Sequence, residues 1–158
     1  IRRLATESAA AMRDIVWLIQ PGPHDAPRLA DRLRAAAKRL LNGVEWNFQI
    51  VGLEQAPSLD VQRHLLLALK EMLHNVLRHA GAHRVEISLT VCDQRFVLEV
   101  RDDGRGGAGT SSGDGHGLMS LRHRAELLGG ALHFESRPGK GTQVSLNGSL
   151  ITGPKPSP

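Results

Sequence analysis

The stretch "RVEISLTVCDQRFVLEVRDDGRG", residues 84–106, decides the fold. Val85, Ile87, Leu89 and Val91 alternate with Glu86, Ser88 and Thr90, and after Cys92-Asp93-Gln94 the run Arg95 to Arg101 alternates in the same way. Successive side chains of a strand point to opposite faces, so both runs read as half-buried strands. Two such strands joined by three residues make an antiparallel hairpin, and a regular alternation of single strands and helices is thereby excluded.

Working outward from the hairpin, residues from about Leu59 to His79 have helical spacing, with Ser58 suited to cap the start and Gly81 to end it. Before this helix, Val44, Trp46, Phe48 and Ile50 alternate with Glu45, Asn47 and Gln49, which predicts another strand. A helix from about Pro27 buries Leu29, Leu33, Ala36, Ala37, Leu40 and Leu41 and stops at Asn42-Gly43. Its Arg28, Arg32, Arg34, Lys38 and Arg39 form a solvated face. Residues 1–20 place Leu4, Met12, Ile15, Val16 and Ile19 on one helical stripe, stopped by Pro21-Gly22-Pro23.

Downstream, "DDGRGGAGTSSGDGHG" holds seven glycines within residues 102–117 and predicts a loop. Leu118 to Leu128 regains helical spacing, Gly129-Gly130 ends it, and residues 131–136 and 142–148 form a last hairpin across "RPGKG". The tail from Ser149, with its three prolines, is expected to be disordered. The element order predicts an α+β fold, with helices layered on one face of a mixed, mainly antiparallel sheet.

The 158 residues suffice for one domain with a helical appendage. Aromatic residues are only 3% and Tyr is absent, so aliphatic side chains must build the interior. The net charge of +4 comes from scattered Arg and Lys with few interleaved aromatics, which argues against nucleic acid as a partner. The single cysteine, Cys92, excludes an internal disulfide framework and fits a reducing compartment. No apolar run approaches the roughly 18–20 residues that span a bilayer, which predicts a soluble, cytoplasmic piece. The start inside an amphipathic pattern leaves room for an anchoring or sensory segment upstream.

The helix from Leu59 to His79 carries two stripes. Leu65, Leu69, Met72, Leu73 and Val76 form an apolar one, whereas Glu71, Asn75 and Arg78 or His79 share another face. A solvated face is one reading. A functional face is the other, because Asn and His are poorer helix formers than the Lys, Glu and Gln that usually fill solvated positions. Asp102, at a strand end beside flexible backbone, is suited to accept a hydrogen bond from an amino group such as that of adenine, with a plain acidic turn as the alternative. Gly115-His116-Gly117-Leu118 opens a helix whose free N–H groups favour an anion. Gly115, Gly117, Ser120 and Glu135 imitate a dinucleotide fingerprint, but the strand it requires cannot form at 107–114. A P-loop motif is absent. His79 and His83 are four apart, but Gly81 breaks the helix between them, so they do not predict zinc.

Together "EMLHNVLRHA", "DDGRG", "GHGL" and "MSLRHRAELLGGALHFESRPGKGTQVSL" resemble, in order, the N box, the first and second glycine boxes and the closing helix-hairpin of the GHKL ATPases. Within these the chain is most similar to sensor histidine kinases of the class that pairs with NarL-type response regulators. "AAMRDIVWLIQP" also resembles the end of that class's second dimerisation helix.

The resemblance implies a Bergerat-type ATP-binding fold, a two-layer α/β sandwich over residues 21–148, with residues 1–20 the end of a dimerisation helix and 149–158 a tail. It implies ATP and Mg²⁺ as cofactors, with Asn75 the metal ligand and Glu71 the residue that positions or polarises the attacking group. Arg78 and His79 would lie near the phosphates. Asp102 would bind the adenine amine, with Gly104 and Gly106 giving room and Thr142 beside the base. Residues 107–114 would be a lid, and Gly115, Gly117 and Leu118 would close on the phosphates. Asp103 stands where many relatives have Asn. Arg122 and Arg124 match arginines common in the class, with a plain surface role as the alternative.

The implied activity is transfer of the γ-phosphoryl group to a histidine of a dimerisation domain, in a protein that is homodimeric, partnered by a response regulator and, at full length, open to an inner-membrane anchor. The eight histidines here lack the acidic neighbours and Gln of the family's acceptor, so that histidine is expected on another domain. Rival readings are an anti-sigma-factor serine kinase, a nucleotide-gated binding module without transfer, and a basic nucleic-acid adaptor.

Overall fold

A computed structural model of the chain describes residues 25–107 and 115–151. The helix expected over 1–20, most of the expected lid and the end of the tail lie outside the described residues.

The first described helix, α1, spans Ala26–Leu40. Asp25 caps it by accepting the Arg28 N–H at 3.0 Å, and Pro27 sits in the first turn, where its missing N–H costs nothing. Leu29, Leu33, Ala36 and Ala37 are buried, while Arg28, Arg34, Lys38 and Arg39 face solvent. Strand β1, Glu45–Val51, follows. The second helix, α2, spans Leu59–Asn75, and its cap is Ser58, whose hydroxyl accepts the Val61 N–H. The expected apolar stripe is buried without exception: Leu65, Leu69, Met72 and Leu73 have no exposure and Val76 has 6%. Burial of each such side chain stabilises the fold by about 1.5–3 kcal/mol.

The α-helix does not continue to His79. It gives way after Asn75 to a π-helical turn, Val76–Ala80, which ends at Gly81 in the left-handed region (φ 55°). One i→i+5 turn changes the rotation by a single residue, too little for a five-residue pattern to reveal.

Strands β2, Arg84–Cys92, and β3, Arg95–Asp102, form the expected hairpin. Its loop is Asp93-Gln94, one residue shorter than expected, since Cys92 pairs with Arg95. Both loop residues have positive φ, 48° and 62°, as in a type I′ turn whose twist matches that of the strands. The third helix, α3, spans Gly115–Leu127. The last hairpin is β4, Leu132–Ser136, and β5, Thr142–Ser149, so that β5 reaches one residue past the expected end. Leu150 N–H then donates to Gln94 O at 2.8 Å.

The sheet order is β1-β2-β3-β5-β4, parallel between β1 and β2 and antiparallel elsewhere. Phe48, Val85, Ile87, Leu89, Phe96, Leu98, Val100, Val144 and Leu146 share one core with the buried faces of the helices. The intervening residues, such as Asn47, Glu86, Thr90 and Arg101, are exposed on the other side. The result is the expected two-layer α/β sandwich. Among the described residues no helix is long and apolar enough to cross a membrane.

Candidate functional site

The core-facing phase of β3 runs Phe96, Leu98, Val100 and then Asp102, a carboxylate at a position that periodicity assigns to the interior. Asp102 is only 5% exposed. Its Oδ1 accepts the Gly104 N–H at 2.8 Å, and the Thr142 N–H also bonds to the carboxylate. Burial nevertheless holds its pKa above the ordinary carboxylate range, outweighing these two bonds, with the neighbouring Asp103 adding repulsion. A carboxylate has about four acceptor positions, so an acid desolvated at this cost has room for a further donor beside these two.

Asp102 lies at the rim of a small cavity with apolar walls, Val76, Ala80, Val100 and Val144. Asn75, Gly106 and Thr142 complete it. Its free volume is about 30 Å³, room for a water or two. Three connections hold the rim: Arg105 N–H donates to Ala80 O at 2.8 Å, Gly139 N–H to Arg105 O at 2.6 Å, and Ser136 Oγ bonds Thr142 Oγ1 at 2.8 Å. The loop therefore threads between the end of the π turn and the β4–β5 hairpin. Only glycine fits at 104, where a Cβ would strike Ala80, and at 106, where it would strike Arg137 O.

At the far side of Asn75 stands Glu71, one helical turn back, and both are partly buried. A Cβ placed on Gly117 of α3 would lie 2.5 Å from Glu71 Oε1 and 3.3 Å from Asn75 Oδ1. With the Glu71 carboxylate where it stands, only a glycine lets α3 come so close, leaving two hard oxygen donors side by side beneath bare backbone. Among the described residues no group of three His, Cys, Asp or Glu is placed to hold a metal. A cation on Asn75 would complete its shell with phosphate oxygens and water, as Mg²⁺ commonly does.

Seven of the eleven expected site residues thus converge: Glu71, Asn75 and Gly117 at one end, Asn75 again with Asp102, Gly106 and Thr142 around the cavity, and Gly104 beneath it. Arg78 is exposed and does not line the cavity, and the His79 side chain is outside the described residues. Gly115 begins α3, and Leu118 packs partly buried against the core.

Larger hollows of about 220 and 260 Å³ flank Arg101 and Lys140, and the second also touches Asp102 and Asp103. They are lined by charged side chains, four of which form the pairs Arg84–Glu86 at 3.4 Å and Arg137–Glu135 at 3.7 Å. They lack apolar walls against which a base could pack.

Sequence reasoning missed the apolar walls, although Val100 could have been found from its phase with Asp102. It also left Asp103 without a role. Asp103 Oδ1 accepts the N–H groups of both His83 and Arg84 at 2.9 Å, and its own N–H donates to Arg84 O, so it clamps the start of β2 to the end of β3. The Arg84 N–H is the main reason its carboxyl is held below the ordinary range. An amide oxygen can accept the same two bonds, so Asp103→Asn is expected to melt close to the parent temperature and Asp103→Ala below it. A depressed carboxyl contributes its stability above the ordinary carboxylate pKa and loses it as pH falls through the lower folded value. Thermal melts repeated in acid check this: the Asn variant should lose that part of the acid sensitivity.

A family profile described as "Histidine kinase-, DNA gyrase B-, and HSP90-like ATPase" matches residues 60–149. The chain is 29% identical over 151 residues to the sensor histidine kinase LiaS of Bacillus subtilis, covering 92% of this chain and 41% of LiaS. It is 38% identical over 90 residues to the nitrate/nitrite sensor protein NarQ of Escherichia coli, covering 56% of this chain and 16% of NarQ. The chain therefore spans less than half the length of these curated relatives. Among solved structures, the histidine kinase domain of the Erythrobacter litoralis EL346 blue-light activated histidine kinase superposes with a TM-score of 0.62 at 20% identity. That likeness covers 83% of this chain and 66% of that one, and concerns the fold.

Proposed function

The chain belongs to the histidine kinase-, DNA gyrase B- and HSP90-like ATPases, and from that premise we propose that it is the ATP-binding catalytic domain of a sensor histidine kinase that pairs with NarL-type response regulators. Its activity is transfer of the γ-phosphoryl group of Mg-ATP to an imidazole nitrogen supplied by a dimerisation domain. Residues 1–20 would be the end of that domain's second helix, and the whole protein would be a homodimer phosphorylating a response regulator from the cytoplasmic side, open at full length to an inner-membrane anchor.

The observation that carries this reading is the convergence of Asp102, Asn75, Glu71 and Gly117, which come from segments far apart in sequence. Asp102 would accept the exocyclic amine of adenine beside the Gly104 and Thr142 N–H groups, and the apolar walls would pack on the ring. A purine needs more room than the present cavity offers, so the rim formed by residues 104–107 must stand back for entry. Asn75 would hold the metal through its amide oxygen. Mg²⁺, when bound, neutralises phosphate charge and aligns the γ-phosphoryl group. Glu71 orients the incoming imidazole through its N–H. Arg78 and His79 would serve the phosphates, with Gly115, Gly117 and Leu118 closing over them. Such a reaction is carried by positioning and charge neutralisation rather than by covalent chemistry of the protein.

The direct test supplies a histidine-bearing helical dimerisation domain in trans with labelled Mg-ATP. Acid-labile label on His is expected, and Asn75→Ala should reduce its rate by about 10- to 100-fold, at least what loss of a residue supporting a metal ligand costs. Label on Ser identifies a serine kinase. Nucleotide binding without label on any acceptor identifies a binding module, and either result rejects the proposal.

A further inference from the structure

Helices α2 and α3 meet along one seam with a polar contact at each end. Gly117 lies over Glu71 and Asn75, and Arg124 reaches His64, with Nη1 3.3 Å from Nδ1. Gly117 to Arg124 and His64 to Glu71 are both steps of seven residues, close to two turns, so each pair lies on a single stripe of its helix. Numbers rise along α3 as they fall along α2, so the helices are antiparallel and the two contacts lie about 10 Å apart. Fully buried Leu121 packs between them. Apolar contact supplies adhesion but little register, because a leucine can slide by a fraction of a turn; a directed hydrogen bond cannot.

The Arg124 guanidinium is no ordinary surface group. It is partly buried, and its Nε is enclosed with no hydrogen-bond partner. Since Arg cannot discharge, enclosing it is costly; burial and the neighbouring Arg63 both weigh against its charge, and the Glu71 carboxylate offsets only part of that cost. We propose that Arg124 is a positioning residue of the phosphotransfer site, which locks the register of α3 on α2 through His64 and thereby holds Gly117 down on Glu71 and Asn75. This rests on the reading of Glu71 and Asn75 given above.

The lock requires a neutral His64. Arg only donates, so Nδ1 must carry a lone pair and Nε2 the proton, which then faces Asp60 Oδ2 at 3.7 Å. Burial keeps the His64 pKa below its ordinary value of 6.5. Arg63 on α2 and Arg124 and His123 on α3 push in the same direction, against Asp60. A depressed histidine contributes its stability fully above 6.5 and loses it as pH falls through the folded value. Below that point two donors face each other and the register loosens.

Arg124→Met keeps the aliphatic stem that covers the seam and removes the guanidinium, donors and charge together, whereas His64→Leu removes the acceptor and leaves that charge in place. In the 158-residue chain with a supplied acceptor domain, it is expected to lower kcat about tenfold, the effect of one charge-assisted hydrogen bond, with KM for Mg-ATP changed by less than about threefold. Amide exchange in the nucleotide-free protein should quicken about tenfold in the first two turns of α3. His64→Leu should behave alike, and the double variant should be no worse than either single one. Arg124→Lys, which retains the charge and a single donor group, should recover part of the loss. Unchanged exchange and kcat in Arg124→Met, or additive effects in the double variant, would overturn the proposal. If the parent chain transfers no phosphate, the functional reading fails, while the exchange measurements still decide the lock.

Discussion

Asp102→Asn is expected to weaken Mg-ATP binding by about 10- to 100-fold, because a charged acceptor for the adenine amine contributes about 1.5–3 kcal/mol beyond solvent. The same substitution should leave the nucleotide-free domain as stable as the parent at neutral pH, or more so. The amide oxygen still accepts the Gly104 N–H, and the cost of an ionised group at 5% exposure disappears. The sign of the pH dependence follows from burial raising this carboxyl. The folded state holds its proton more tightly than the unfolded chain, so the cost of ionisation is felt above the folded pKa and is relieved as pH falls through it. Calorimetric titration with Mg-ATP and thermal melts without it separate the two effects. Parent-like affinity in the variant would remove Asp102 from the base site, and a collapsed melting temperature would mean that its role is architectural.

Gly117→Ala should divide stability from activity in the opposite sense to an ordinary core defect. Alanine favours the helix over glycine by about 1 kcal/mol, and the atom its Cβ meets, Glu71 Oε1 at 2.5 Å, is the end of a flexible side chain that can swing away. The fold should hold or gain. The swing, however, takes the carboxylate off its line and crowds the Asn75 amide at 3.3 Å. A misplacement on the order of 1 Å costs roughly 100-fold in rate. Initial rates of phosphotransfer with the supplied acceptor, beside melting curves of both proteins, check this. Full activity in the alanine variant would mean that α3 does not sit on Glu71 and Asn75 during the reaction.

The residues singled out from the sequence differ in how legible they were. Asn75 stood out because its type is poorly explained by solvation, and Glu71 because helical spacing puts it on the same face. Asp102 stood out as an acid before glycines, yet its more telling feature, a carboxylate in phase with Phe96, Leu98 and Val100, was equally available in the alternation of β3. Asp103 was unreadable, because the donors to its carboxylate, the N–H groups of His83 and Arg84, lie some twenty residues earlier, at the start of another strand. Arg124 was ambiguous for the same reason: nothing within α3 distinguishes a solvated arginine from one turned toward His64, sixty residues away.

By itself, the sequence determined the strands and helices, their buried faces and the antiparallel β2–β3 hairpin, since periodicity, caps and short turns are local and each residue's neighbours along the chain set them. Only the tertiary structure decided that β5 inserts beside β3, which puts Thr142 opposite Asp102, and that α3 descends on α2 at Gly117. Those pairings depend on closing long loops against chain entropy, and the free energy that selects them comes from side chains meeting across the whole core. No window of consecutive residues contains that information, because none contains both partners.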